Sequence, residues 1–148
     1  MTTWKLQFRS QSKTLIRGGY VMNEETAFLD AAESGDIKTI KSLLQDGMDV
    51  NTKDNHERTA LLKAAKHGHM NIVELLIKHG AEIDHRDNRG TSALYWASTN
   101  GHYDIVQLLI ENSGDVDVHD DRGWSAKDQA ITHHHDGVVD LLNEAGAH

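Results

Sequence analysis

Residues 64–84 read AAKHGHMNIVELLIKHGAEID. Small residues (Ala64, Ala65) come first, Gly68 interrupts, and Ile72, Val73, Leu75 and Leu76 then fall at i, i+1, i+3 and i+4, one broad apolar stripe on a helix. Gly80 closes the stretch. The same phrase stands at 31–51 as AAESGDIKTIKSLLQDGMDVN and at 97–117 as ASTNGHYDIVQLLIENSGDVD, with a weaker copy, AITHHHDGVVDLLNEAGAH, at 130–148. Thr26, Thr59, Ser92 and Ser125 are 33 residues apart each time, and so are Leu43, Leu76, Leu109 and Leu142. Four copies without a gap are an internal repeat, which takes precedence over any single motif.

Each unit reads as helix, turn, helix, loop. The hydroxyl residue is expected to cap the first helix, accepting a backbone N–H that has no partner inside the helix. The small-residue pairs Ala31/Ala32, Ala64/Ala65, Ala97/Ser98 and Ala130/Ile131 let neighbouring helices approach closely. Gly35, Gly68 and Gly101 are expected to end the first helix in a left-handed conformation. An extended Val50, Ile83 or Val116 follows the second helix, and Asp54, Asp87 or Asp120 opens a polar turn.

The pattern T-x-L…A-A…G-H…I-V…L-L…G-A at this period resembles the ankyrin repeat. The resemblance covers residues 22–148, as units of about 22–53, 54–86, 87–119 and 120–148. It implies an all-α ankyrin-repeat solenoid of stacked helix-turn-helix units with projecting β-turn fingers and a concave, protein-binding face. One such unit cannot bury its own apolar face, so stacking supplies the core. The family's proline after the capping hydroxyl is replaced by Ala27, Ala60, Ala93 and Ala126. This places about four of the roughly seven prolines that a chain of this length would carry and this one lacks. The family's histidine becomes Leu29, Leu62, Tyr95 and Asp128, so its hydrogen-bond network is expected to be lost. Thr39 and Ser42 in the first copy, and Lys127, His134 and Asn143 in the last, are the polar departures that capping repeats need. The four repeats are therefore expected to be complete, with none missing at the C-terminal end.

Residues 1–21 stand outside the repeat. Trp4, Leu6 and Phe8 alternate with Lys5, Gln7 and Arg9, and Thr14–Arg17 could form a second short strand. Three readings remain open: a strand or hairpin arm covering the first repeat, a basic targeting peptide, or an upstream extension with Met22 as the start. Residues 1–22 carry four basic groups and no acid, while residues 23–148 carry 11 basic and 23 acidic groups, net −12. Such an acidic body is a poor nucleic-acid binder and suits a basic protein partner. The 148 residues contain no cysteine, which excludes disulfides, thiolate metal ligands and a cysteine nucleophile. No apolar run is long enough to span a membrane.

Nucleophile-elbow, phosphate-loop and zincin motifs are all absent, so no enzyme is expected. His133, His134 and His135 are consecutive, and a helical metal pair needs i, i+4 spacing instead; no metal or other cofactor is expected. His69 and His102 are read as structural, and His67, Asn100 and His133 as the edge of the concave face. The resemblance puts partner contacts at the finger tips and on the exposed side of the first helices. The candidates are Arg58, Arg89, Thr91, Arg122 and Trp124 on the fingers, Lys63, Trp96 and Gln129 on the helices, and His67 and Asn100 at the edge. The expected protein is a cytoplasmic, monomeric, non-enzymatic binding module; a dedicated inhibitor of a basic toxin or enzyme, or a histidine-metal protein, are the alternatives.

Overall fold

The computed structural model describes the backbone of residues 5–9, 12–17 and 20–148, and side chains from residue 23 onward. Eight helices follow three short strands. The strands β1 (Lys5–Arg9), β2 (Ser12–Arg17) and β3 (Tyr20–Asn23) form an antiparallel sheet in chain order, with Leu6 opposite Leu15 and Leu15 opposite Met22. The sheet is a three-stranded meander, and β2 and β3 lie against the first helix. Trp4 lies outside the described residues.

Helix α1 (Glu24–Ser34) follows β3 directly. Its cap is Asn23, whose Oδ1 accepts the Thr26 N–H at 2.9 Å. The sequence expectation of Thr26 as the cap fails here: Thr26 lies inside the helix, and so does Ala27. An asparagine three residues upstream captures the very N–H that Thr26 itself contributes. The other three caps stand as expected. Thr59, Ser92 and Ser125 start α3 (Ala60–Lys66), α5 (Ala93–Thr99) and α7 (Ala126–Thr132), and Asp128 completes a capping box with Ser125. Ala60, Ala93 and Ala126 therefore occupy the first helical position, the one place where the absent proline would cost nothing.

The second helices are α2 (Ile37–Gln45), α4 (Met70–Lys78), α6 (Tyr103–Glu111) and α8 (Asp136–Glu144). First helices pack on first helices in the order α1, α3, α5, α7, and second helices on second helices. The core runs along the stack through Phe28, Leu61 and Leu94, through Leu43, Leu76, Leu109 and Leu142, and through the alanines between them, all buried. At the C-terminal end the same register places Lys127 and Asn143 partly or fully in solvent. Ile131 is the exception: Ala32, Ala65 and Ser98 are fully buried at its equivalent positions, whereas it is 50% exposed.

The three consecutive histidines have three different jobs. His135 occupies the register of His69 and His102, and each of these rings lies on the glycine of the preceding unit. A Cβ on Gly35, Gly68 or Gly101 would come within 2.8, 2.7 or 2.5 Å of the ring above it. His69 Nε2 donates to the Glu33 carbonyl at 2.8 Å and His102 Nε2 to the Lys66 carbonyl at 3.1 Å, tying successive loops together. His134 stands in the glycine's own place with φ of 60°, and His133 Nδ1 donates to the Gln129 carbonyl at 2.9 Å.

Candidate functional site

The fingers are built by one aspartate each. The backbone N–H of Asp54, Asp87 and Asp120 donates to the carbonyl four residues on, at 3.1, 2.9 and 2.9 Å. The Oδ1 of each accepts two further N–H groups: His56 and Arg58, Arg89 and Thr91, Arg122 and Trp124. The fingers are also joined to one another, Asn88 N–H donating to the His56 carbonyl at 3.0 Å and Asp121 N–H to the Arg89 carbonyl at 2.8 Å. Residues 56, 89 and 122 consequently hold a fixed spacing along one edge.

The remaining carboxylate oxygen distinguishes the three fingers. Asp54 Oδ2 pairs with Lys63 Nζ at 3.2 Å, and Asp87 Oδ2 with Arg58 Nε at 3.5 Å. Asp120 Oδ2 accepts the Tyr95 hydroxyl at 2.8 Å and Arg122 Nη2 at 3.0 Å. Burial alone would raise the Asp120 carboxyl, but the Tyr95 hydroxyl, the Trp124 and Arg122 N–H groups and the Arg122 guanidinium outweigh it and hold it down at about 2. Burial and the Asp120 charge together push Tyr95 up to about 12. At Asp54 burial again opposes, and the Arg58 and His56 N–H groups with Lys63 keep its pKa below the ordinary value.

Between the Asp87 and Asp120 fingers and α5 lies a cleft of about 300 Å³. Its apolar wall is Trp96, which is fixed on three sides. The indole N–H donates to the Thr91 hydroxyl at 2.8 Å, the Tyr95 ring meets it edge-on with centroids 5.5 Å apart, and Lys66 Nζ sits 4.3 Å from the centre of its ring. Arg89 and Arg122 form the rim, with Asp120 and Asp121 beneath and beside them. The family model for ankyrin repeats in 3 copies matches residues 7–87 and again residues 80–148. The chain belongs to the ankyrin repeat family. A comparison with curated proteins finds no match.

Members of the ankyrin family are in general protein–protein interaction modules and typically not enzymes. In this ankyrin protein the expected contact residues divide into groups. Trp96, Arg89, Arg122 and Thr91 come together around the cleft, although Thr91 is buried and its hydroxyl is engaged by Trp96. Trp124 is 46% exposed on the Asp120 finger and does not line the cleft. Lys63 and Arg58 are drawn down onto Asp54 and Asp87. His67 Nε2 lies 3.5 Å from Glu33 Oε1, the Asn100 amide donates to the Lys66 carbonyl at 2.8 Å, and Gln129 is half-buried on α7. The three finger arginines do not share one register position. Arg89 and Arg122 are equivalent to His56, whereas Arg58 is equivalent to Thr91 and Trp124.

Tyr95, Lys66 and Asp120 belong to the cleft or its supports and were not among the contact candidates. The expected loss of the hydrogen-bond network at the former histidine position holds at Leu62 but not at Tyr95, whose hydroxyl builds a replacement bond to the next finger. Its signal in the sequence was a lone phenol where two earlier units carry leucine. Among the described residues no group of three or more His, Cys, Asp or Glu is placed to hold a metal ion. Among them, too, no helix is long and apolar enough to cross a membrane.

Proposed function

We propose that this ankyrin protein binds a protein partner through the concave side of its fingers, with the cleft beside Trp96 as the anchor point. The carrying observation is the state of the three cleft residues. Trp96 is oriented by three neighbours, the Arg89 guanidinium makes no ion pair among the described residues, and the Arg122 side chain is 70% exposed while tethered at one nitrogen. Tryptophan and arginine dominate binding hot spots because they bring large contact area or several donors at low ordering cost. Lys63, His67, Asn100 and Gln129 extend the surface along the groove, and Trp124 extends it along the finger tips.

The test is affinity capture from native lysate, with identification of the retained proteins by mass spectrometry. Trp96→Ala should lose the specific set while still unfolding in one cooperative transition, at a lower midpoint because Trp96 packs on the core. Retention of the same set by Trp96→Ala and by Arg89→Ala/Arg122→Ala would remove the cleft from the function. The net charge of −12 over residues 23–148 favours a second, narrower role, inhibition of a basic protein. That role requires an association rate that falls steeply with salt.

A further inference from the structure

We infer that the cleft between the Asp87 and Asp120 fingers recognises a single carboxylate, an Asp or Glu side chain on an extended segment of the partner. The inference rests on the binding role proposed above and names the chemistry of its anchor. Most polar groups in the cleft are already committed. The Thr91 hydroxyl is taken by Trp96, the Tyr95 hydroxyl by Asp120, and the Asp120 carboxylate by four donors. The groups with donor capacity to spare are two guanidiniums. Arg122 uses Nη2 on Asp120 and keeps its other N–H groups, and that tether holds its fork in one orientation before anything binds. Arg89 is rooted beside it, because Asp121 N–H is bonded to the Arg89 carbonyl.

Planar guanidinium forks fit a carboxylate through paired N–H···O contacts, better than they fit a neutral amide. Trp96 supplies the wall for the methylene groups of the acid or for an apolar neighbour on the same segment. A dianion fits less well. Asp120 and Asp121 also line the cleft, so the two arginines are already balanced, and the electrostatic opposition to a phosphate dianion is about twice that to a carboxylate, which binds by its paired N–H contacts rather than by net charge. A polyanion meets the further obstacle of the acidic body, whereas one carboxylate on a basic partner does not: beyond a Debye length the partner's net charge steers, and at contact the anchor decides.

The test uses the full chain and a displayed library of random peptides, selected in parallel on wild type, Arg89→Glu and Trp96→Ala. Arg89 is the residue to reverse, because it holds no ion pair whose loss would unfold the finger. Wild type should enrich peptides with Asp or Glu beside an apolar residue, and Arg89→Glu should replace that preference with Lys or Arg. A synthetic peptide from the wild-type selection should lose about tenfold in affinity when its acid becomes the amide, the effect of one charge-assisted contact. Replacing that acid with phosphoserine should weaken binding too, and stronger binding would overturn the inference in favour of a phosphate. Enriched peptides that depend on Trp96 but lack an acid, or keep it on Arg89→Glu, overturn the carboxylate while leaving the binding face in place. No enrichment on wild type beyond that on Trp96→Ala overturns both.

Discussion

Tyr95→Phe isolates the contact that locks the Asp120 finger to the third unit. The ring is 2% exposed and its hydroxyl donates to Asp120 Oδ2 at 2.8 Å, so the substitution removes one oxygen from a packed site and leaves the ring where it is. A hydrogen bond to a charged group contributes about 1.5–3 kcal/mol. Asp120 keeps the Arg122 and Trp124 N–H groups and Arg122 Nη2, so no buried charge is stranded, and the cost falls at the lower end, about 1.5 kcal/mol. In a domain of this size that is a fall of roughly 3–6 °C in Tm. Urea unfolding followed by circular dichroism measures it, and a cycle with Asp120→Asn should return a coupling of about 1 kcal/mol or more. The pH dependence follows from the two shifts. Tyr95 is raised from 10.0 to about 12, so its contribution is whole below pH 10 and fades between 10 and 12. Asp120 is lowered from 3.8 to about 2, so its contribution is whole above pH 3.8 and fades as pH falls towards 2. The stability difference between wild type and Tyr95→Phe should therefore form a plateau with two shoulders, and the phenol removed by the mutation should titrate near 12 in the tyrosinate difference spectrum. A loss below about 0.5 kcal/mol, or additive single mutants, would refute the account of this contact.

Ser98→Ala should stabilise by about 1 kcal/mol, because Ser98 Oγ is buried without a hydrogen-bond partner among the described residues and alanine already serves at positions 32 and 65; the urea midpoint should rise with unchanged slope. His134→Gly should raise stability by about 0.5–1 kcal/mol, since a non-glycine residue at φ of 60° is strained and the side chain is exposed; an unchanged or lower Tm would show that His134 makes a contact outweighing the strain. Gly101→Ala should cost at least about 2 kcal/mol while Gly47→Ala costs about 1, because both have positive φ but only the Gly101 Cβ would strike the His135 ring. Equal losses at the two glycines in thermal unfolding would mean that the histidine rings simply move aside.

The period of 33 made the stack legible because every unit must present the same faces to its neighbours, and one side-chain pattern meets that demand four times. The caps at Thr59, Ser92 and Ser125 were readable for the same reason. Thr26 was misread because α1 follows a strand rather than a finger, so the helix starts earlier and Asn23 reaches its first N–H groups. A repeat alignment reports which residues are equivalent, and a binding site needs the different information of which residues are adjacent. Tyr95 and Asp120 are 25 residues apart and Lys66 and Trp96 are 30 apart, offsets set by how one unit seats on the next rather than by the period. The alignment named Trp96 on a helix and Trp124 on a finger as contact candidates, and only the stack shows that Trp96 lines the cleft while Trp124 does not. Arg89 and Arg122 share one register position on consecutive fingers, so for that pair equivalence and adjacency coincide. The cleft is therefore shaped by substitutions that break the repeat, as at Tyr95 and Trp96, and such a feature becomes readable from sequence only where the break recurs in the neighbouring unit.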